Sequence, residues 1–313
     1  MSGEANLGTL SYLTISKSDT HVASTDGVDL QSENLVTERP LLEVPNLNGS
    51  RERNTALENV IARITPSGTF SFLPRSVQLN LLAELLLGGG SSVAGWYPTS
   101  SATLTPVYVN VCKANAKVTT NLYAEQILGV INELTLSSQQ NGALQAEVGL
   151  VGKTSTRVAG VTPTYANISG KSPFLHSQLV VSGDLGALAP YSMKLSMKNN
   201  VNEEGYANSM TRQFIENGQF EADLELEVNF NDTTLQLIKD KYEESAITGI
   251  KPVVVVTMVY TNVGESNKTL TIVFCGTLDS PPPTMSGREA QRTTLKIKGG
   301  KDATHNTVKI TVA

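Results

Sequence analysis

Four carboxylates recur at every second position in the stretch QFEADLELEVNF: Glu221, Asp223, Glu225 and Glu227. In an extended strand that spacing puts all four on one face, about 7 Å apart, with Phe220, Ala222, Leu224, Leu226 and Val228 on the other. Paired acids perform glycosidase chemistry when two carboxyls from separate strands face each other in a cleft lined by aromatics. One straight row does not build that cleft, and the single tryptophan, Trp96, sits in a loop-like stretch. Nor do ligands in a line on a flat strand surround an ion, so the row is a weak metal site. The bland alternative is the solvated outer face of an antiparallel sheet. Like charges in line repel, however, and exposed strands ordinarily mix signs or use threonine and lysine. The row therefore reads as a wall of negative charge, the strongest site-like signal in the chain.

Other chemistry-bearing residues lead nowhere. Gly152, Lys153 and Thr154 resemble the end of a phosphate-binding loop, but Glu147 stands where the motif needs an earlier glycine, and STRVAGVTPTYANISG supplies no following helix. Gly88 to Gly90 follow a helical run instead of preceding one, which reads as helix termination. His21, His176 and His305 are the only histidines, and none has a companion at metal-ligand or triad spacing. Cys112 and Cys275 each lie inside an apolar run, where buried reduced thiols are expected. No catalytic residue, metal or cofactor is expected, and the chain reads as a protein without enzyme activity.

The elements that must hold these residues are mostly strands. Short Val, Ile, Thr, Leu and Tyr runs such as TPVYVNV, QLVVSGDL and KPVVVVTMVY alternate with Gly, Asn, Ser and Pro. Two stretches look helical. LPRSVQLNLLAELLLGGG has Pro74 at a first-turn position and Val77, Leu81, Leu82 and Leu85 along one stripe. NDTTLQLIKDKYEESAITG is opened by Asn231 or Asp232 as N-cap and closed near Gly249.

Length and charge bound the class. A chain of 313 residues is long enough for one large all-β domain or two smaller ones. A formal net charge of -5 argues against a nucleic-acid-binding surface as its main business. The first residues, MSGEANLGTLSYLTISKSDT, lack the basic and apolar regions of a signal peptide, and no run reaches the roughly 18 apolar residues of a membrane span. Synthesis and use, or assembly, in a cytoplasm is expected.

The two helical stretches also align with each other. Setting Phe72, Gln78 and Leu79 on Phe230, Gln236 and Leu237, an offset of 158, makes the helix starts coincide. Each helix is followed by a strand opened by proline, from Thr105 and from Lys251, at an offset of 146. NGALQAEVGLVGK and SGREAQRTTLKIKGG continue at about 145. Before each helix come a strand, a long polar loop and a second strand. The strand before the first helix carries Arg63, Thr65, Ser67, Thr69 and Ser71 at alternating places and is polar without being acidic. A tandem duplication is expected, with copies at 1–160 and 161–313 and an N-terminal arm over about 1–35.

This pattern resembles the tail tube (major tail) proteins of tailed bacteriophages. ARITPSGTFSFLPRSVQLNLLAELLLGG is similar to the part of those proteins where an extended strand leads into the helix, and YSMKLSMKNNVNEEGYANSMTRQFIENGQFEADLELEVNF looks like the same part in a second copy. The resemblance implies a mainly β fold of tandem β-sandwich or barrel-like domains, each with one flanking helix. It implies subunits that close into rings by joining inner sheets, and rings that stack into a channel for DNA and the tape-measure protein, ending on tail terminator and tail-tip proteins. A duplicated chain implies a trimeric ring with pseudo-sixfold symmetry; a single-copy reading implies a hexamer with a decorating domain. Glu221, Asp223, Glu225 and Glu227 would face the lumen, letting DNA pass without tight binding. The long loops would contact the next ring, through Asn46, Asn48, Arg51 and Arg53 in residues 45–59 and through Asn200, Glu203, Glu204 and Tyr206 in residues 198–218. No membrane partner is implied, and assembly would take place in the host bacterial cytoplasm. The alternative is a two-domain adhesin or carbohydrate-binding module at a virion or cell surface, for which Trp96 and Tyr97 would begin an aromatic platform.

Overall fold

The computed structural model describes residues 11–18, 27–43, 59–100, 104–113, 123–158, 165, 168–243, 251–281 and 292–313. The protein is mainly β. Its first half comprises β1 (Tyr12–Ser16), β2 (Leu30–Glu33), β3 (Val36–Glu38), β4 (Leu41–Glu43), β5 (Asn59–Ile61), β6 (Thr65–Phe72), α1 (Ser76–Leu87), β7 (Gly88–Ser91), β8 (Gly95–Pro98), β9 (Val107–Lys113), β10 (Tyr123–Gln139) and β11 (Gln145–Val158). The second half comprises β12 (Leu179–Gly183), β13 (Ser192–Lys198), β14 (Glu221–Asn229), α2 (Asp232–Ile238), β15 (Val253–Asn262), β16 (Lys268–Leu278), β17 (Arg292–Gly299) and β18 (Val308–Val312). All strands but the separate β4–β5 pair belong to one branched, open sheet. It wraps a single core to which both halves contribute.

Alternation builds the strands. In β14 the odd carboxylates point out while Ala222, Leu224, Leu226 and Val228 are buried, and β15 and β17 follow the same period. Helix α1 opens on a box in which Gln78 Oε1 accepts from the Arg75 N–H at 3.0 Å, and it ends on Gly88 at φ 71, a left-handed conformation that glycine adopts without Cβ strain. Pro74 therefore precedes the N-cap instead of sitting in the first turn. The apolar stripe is also rotated from the expected one. Leu79, Leu82, Ala83, Leu85 and Leu86 are buried, whereas Val77 is 46 % exposed, because the helix packs against β10 on one side and β8 and β18 on the other. Asn231 caps α2, its Oδ1 accepting from the Thr234 N–H at 3.0 Å. The helix is shorter than expected: it widens into a π-turn at Lys239–Glu243, and residues 244–250 lie outside the described ones.

The two halves repeat one order of neighbours. In the first, β1, β9, β10, β11 and β6 lie side by side, with β2 and β3 on the far edge of β6; in the second the order is β12, β15, β16, β17, β14 and β13. Registers repeat too. Thr69↔Gly149 and Ser67↔Val151 in the first half answer to Glu227↔Thr294 and Glu225↔Lys296 in the second, and Val36↔Ser67 answers to Lys194↔Glu225. Between the halves, the later part of β10, Glu133 to Gln139, pairs with β13. Asn199, just past β13 and buried, locks this joint: its N–H donates to Asn132 O at 2.8 Å and its amide to Leu86 O at 2.9 Å.

The joint carries a stagger. Ser71 lies in one row with Glu147, Thr135, Ser196 and Asp223, although the repeat counterpart of Ser71 is Asn229, six positions beyond Asp223 on the same strand.

Candidate functional site

Strands β6, β11, β10, β13, β14 and β17 present one continuous face across both halves. Its rows follow the pairing: Ser71, Glu147, Thr135, Ser196, Asp223, Lys298; then Gln145, Ser137, Lys194, Glu225, Lys296; then Gln139, Ser192, Glu227, Thr294. A flanking row holds Thr69, Gly149, Glu133, Lys198 and Glu221. No aliphatic or aromatic side chain interrupts these four rows. The inward side of the same strands supplies core residues such as Phe70, Val148, Leu136, Leu195, Leu224 and Ile297.

The four acids read from the sequence thus do share a face. The expectation of a uniformly negative one is corrected, because β14 runs between two cationic strands. Lys194 and Lys198 stand on β13; Arg292, Lys296 and Lys298 stand on β17. Lys296 Nζ lies 3.0 Å from Glu225, Arg292 Nη1 3.5 Å from Glu227, and Lys198 Nζ 2.7 Å from Glu133. The hydrogen bond that Lys198 donates to Glu133, together with the negative charge of that carboxylate, raises the Lys198 pKa. Six carboxylates (Glu133, Glu147, Glu221, Asp223, Glu225, Glu227) meet five cations, leaving one net negative charge. Cross-strand attraction on both flanks is what permits four like charges in line.

The loop from Asn199 to Phe220 begins and ends beside this face and folds back on its own first half. Buried Arg212 holds it: Nη1 donates to the Gly152 carbonyl and Nε to the Glu203 carbonyl at 2.5 and 2.9 Å, and Nη2 lies 3.4 Å from the Glu203 carboxylate. Arg212 and Arg63 stack on the Tyr206 ring at 5.4 and 5.9 Å, and the Tyr206 hydroxyl donates to Thr65 at 3.1 Å. Val201 and Ile215 cover Val130 and Val151. Asn200, with a left-handed φ of 47, bonds Gln219 O across the loop's neck, and Glu204 is exposed. Met210 and Phe214 stand out, 54 % and 46 % exposed. The other expected loop contacts, Asn46, Asn48, Arg51 and Arg53, lie outside the described residues.

The remaining candidates are structural. Gly152, Lys153 and Thr154 sit within β11. Trp96 is half-buried in β8, its indole N–H donating to Asn80 at 2.9 Å. Cys112 and Cys275 are buried free thiols whose pKa burial pushes up. His176 is buried in a hydrogen-bonded chain that sequence reasoning missed: Nε2 lies 2.8 Å from Pro190 O and Nδ1 2.8 Å from Ser138 Oγ, which is 2.7 Å from the Tyr260 hydroxyl. His305 closes a turn with Asp302, whose carboxyl its hydrogen bonds hold down at about 2. His21 lies outside the described residues. Among the described residues no group of three or more His, Cys, Asp or Glu is arranged to hold a metal ion, and no helix is long and apolar enough to cross a membrane.

No curated protein matches the chain. A family described as phage tail tube protein does, over residues 5–299, nearly the whole length. A mainly β chain with a broad ionic sheet face is in keeping with a structural part of a virion tail, and on the strength of that match the chain belongs to the phage tail tube protein family.

Proposed function

We propose that the chain polymerises into rings that stack into the tail tube, with the face spanning β6 to β17 lining the channel through which DNA leaves around a tape-measure protein. One observation carries this reading: a face continuous over six strands of both halves, wholly polar and almost charge-balanced. Such a lining offers neither an apolar surface to hold bases nor a cationic stripe to exchange counterions with phosphates, so DNA slides without sticking.

The repeated neighbour order supports a tandem repeat, 1–160 and 161–313, and with it a trimeric ring of pseudo-sixfold symmetry. Counting β3 and the end of β16 beside those six strands gives eight per chain; in three chains, twenty-four strands at about 4.8 Å each circle a barrel roughly 37 Å across before tilt widens it. Ring closure pairs the β3 end of one chain's face with the β16 end of the next and removes the open sheet edges. Head-to-tail stacking then continues without closing. Met210 and Phe214 on the anchored loop suit contact with the next ring, as do residues 45–59. Assembly in the host bacterial cytoplasm, capped by terminator and tip proteins, completes the reading.

A cysteine replacing exposed Thr294 tests it. In tubes of uniform diameter verified by electron microscopy, that thiol is expected to resist a polymer-linked maleimide that labels it readily in the free chain. Equal labelling of tube and free chain puts the face on the outside and sinks the channel assignment.

A further inference from the structure

We infer that the cleft beside the first turn of α1 is the socket for the loop from Asn199 to Phe220 of a second copy of this chain, with Phe214 entering it and Glu204 pairing with Lys268. The inference rests on the ring reading and names the two surfaces on which one ring meets the next.

The two surfaces lie at opposite ends of β6. At the Thr65 end the Ile64 N–H donates to the Met210 carbonyl at 2.7 Å and the Tyr206 hydroxyl donates to Thr65, which sets the loop there. At the Phe72 end the chain turns into α1, where Ser76 Oγ donates to Glu265 at 2.6 Å and Arg75 Nε to the Lys171 carbonyl at 3.0 Å. Eight strand residues at about 3.3 Å each hold these ends roughly 26 Å apart. On the channel reading β6 climbs the wall of the bore, so one end faces the ring above and the other the ring below. A head-to-tail stack requires that the two fit each other.

Their chemistry is complementary. Between α1, the tip of the β7–β8 hairpin and the turn from β15 to β16 opens a cleft of about 460 Å³. Half-exposed Val77 lines it, and Val93 and Val263, 91 % and 70 % exposed, stand in the two segments beside it, an apolar surface that water alone covers poorly. Glu265 in the cleft is engaged by Ser76 and lies 3.8 Å from Lys171, whereas exposed Lys268 has no ion pair among the described residues. On the loop, Met210 and Phe214 stand out, and the Gln213 N–H donates to the Gly205 carbonyl at 2.7 Å, which sets Phe214 next to Glu204. Glu204 is exposed and likewise has no ion pair among the described residues. Each end thus joins exposed apolar side chains to one free charge, and the charges are of opposite sign. The Arg212 clamp holds the loop in shape, so docking orders little that is not ordered already. An aromatic anchor, a methionine and one ion pair fall well short of the roughly 1,200 Å² that a stable interface buries. A single contact therefore does not hold two free chains together, and several acting at once on a closed ring do.

Exchanging the charges tests the pairing. In the purified full chain, Glu204→Lys alone and Lys268→Glu alone are each expected to raise the concentration at which tubes sediment by at least about tenfold, and the two together to bring it back to within about threefold of the parent. Both sites are exposed, so the melting temperature of the free chain should stay at the parent's. Single variants without effect, or a double variant no better than the singles, overturn the socket. Phe214→Ala is expected to raise the same threshold by at least about tenfold, and a parental threshold overturns the anchor. Either failure leaves the channel reading standing as long as tubes form and shield the thiol at position 294. A parent chain that builds neither rings nor tubes overturns both.

Discussion

Ser138 stands at the centre of a buried relay whose direction follows from its ends. The Pro190 carbonyl only accepts, so His176 carries its proton on Nε2; its Nδ1 then accepts from the Ser138 hydroxyl, which leaves Ser138 Oγ to accept from Tyr260. Burial pushes the Tyr260 phenol pKa up, which keeps it a donor. Ser138→Ala strands both a ring nitrogen and a phenol, and should cost about 1–3 kcal/mol in urea unfolding, against about 1 kcal/mol for Tyr260→Phe. A smaller loss for Ser138→Ala than for Tyr260→Phe would contradict this chain of donors. None of it was legible locally. His176 sits among Pro, Leu and Ser, and its partners lie 38 and 14 residues away.

Strands were the most legible elements, because alternation is a property of the segment itself: β14 buries Ala222, Leu224, Leu226 and Val228, four of the five side chains assigned to its inner face, and Phe220 just before it is partly buried. Which strands flank it is a property of the fold. SMKLSMK and RTTLKIKG show their cations at period two, yet only register sets Lys194 and Lys296 on either side of Glu225. The same limit explains the rotated stripe of α1, where partners on two sides, not helical period alone, choose the buried face. For β14 the expected consequence is asymmetric. Changing Glu221, Asp223, Glu225 and Glu227 to amides should cost under about 1 kcal/mol in total, since only Glu225 and Glu227 lose an ion pair and both are partly solvent-screened. Changing all four to lysine sets like charges against both neighbours and should cost about 2–4 kcal/mol in total by thermal or urea unfolding. Equal losses in the two variants would mean that the flanking cations contribute nothing.

At the scale of the molecule, the offset of 158 that aligned two helices in the sequence recurs in the registers of β3 with β13 and β6 with β14. What stayed hidden is how the halves hold each other. The joint through β10 and β13 joins residues 53 to 65 positions apart, and the second-half loop clamped on Gly152 by Arg212 joins residues 60 apart. Arg212→Met should cost about 1–3 kcal/mol, because it leaves the buried Gly152 carbonyl without its donor and removes the bond to the Glu203 carbonyl. Limited proteolysis is expected to cut first within residues 199–220; a cleavage pattern like that of the parent would show that the clamp is dispensable. The stagger at the joint reaches furthest. If each half steps six positions along its neighbour and the circuit closes, the strands must slant, and every line of like residues winds round the bore as a thread. On the channel proposal, a molecule leaving through such a lining would meet a wall whose rows of like residues run helically instead of straight along the bore.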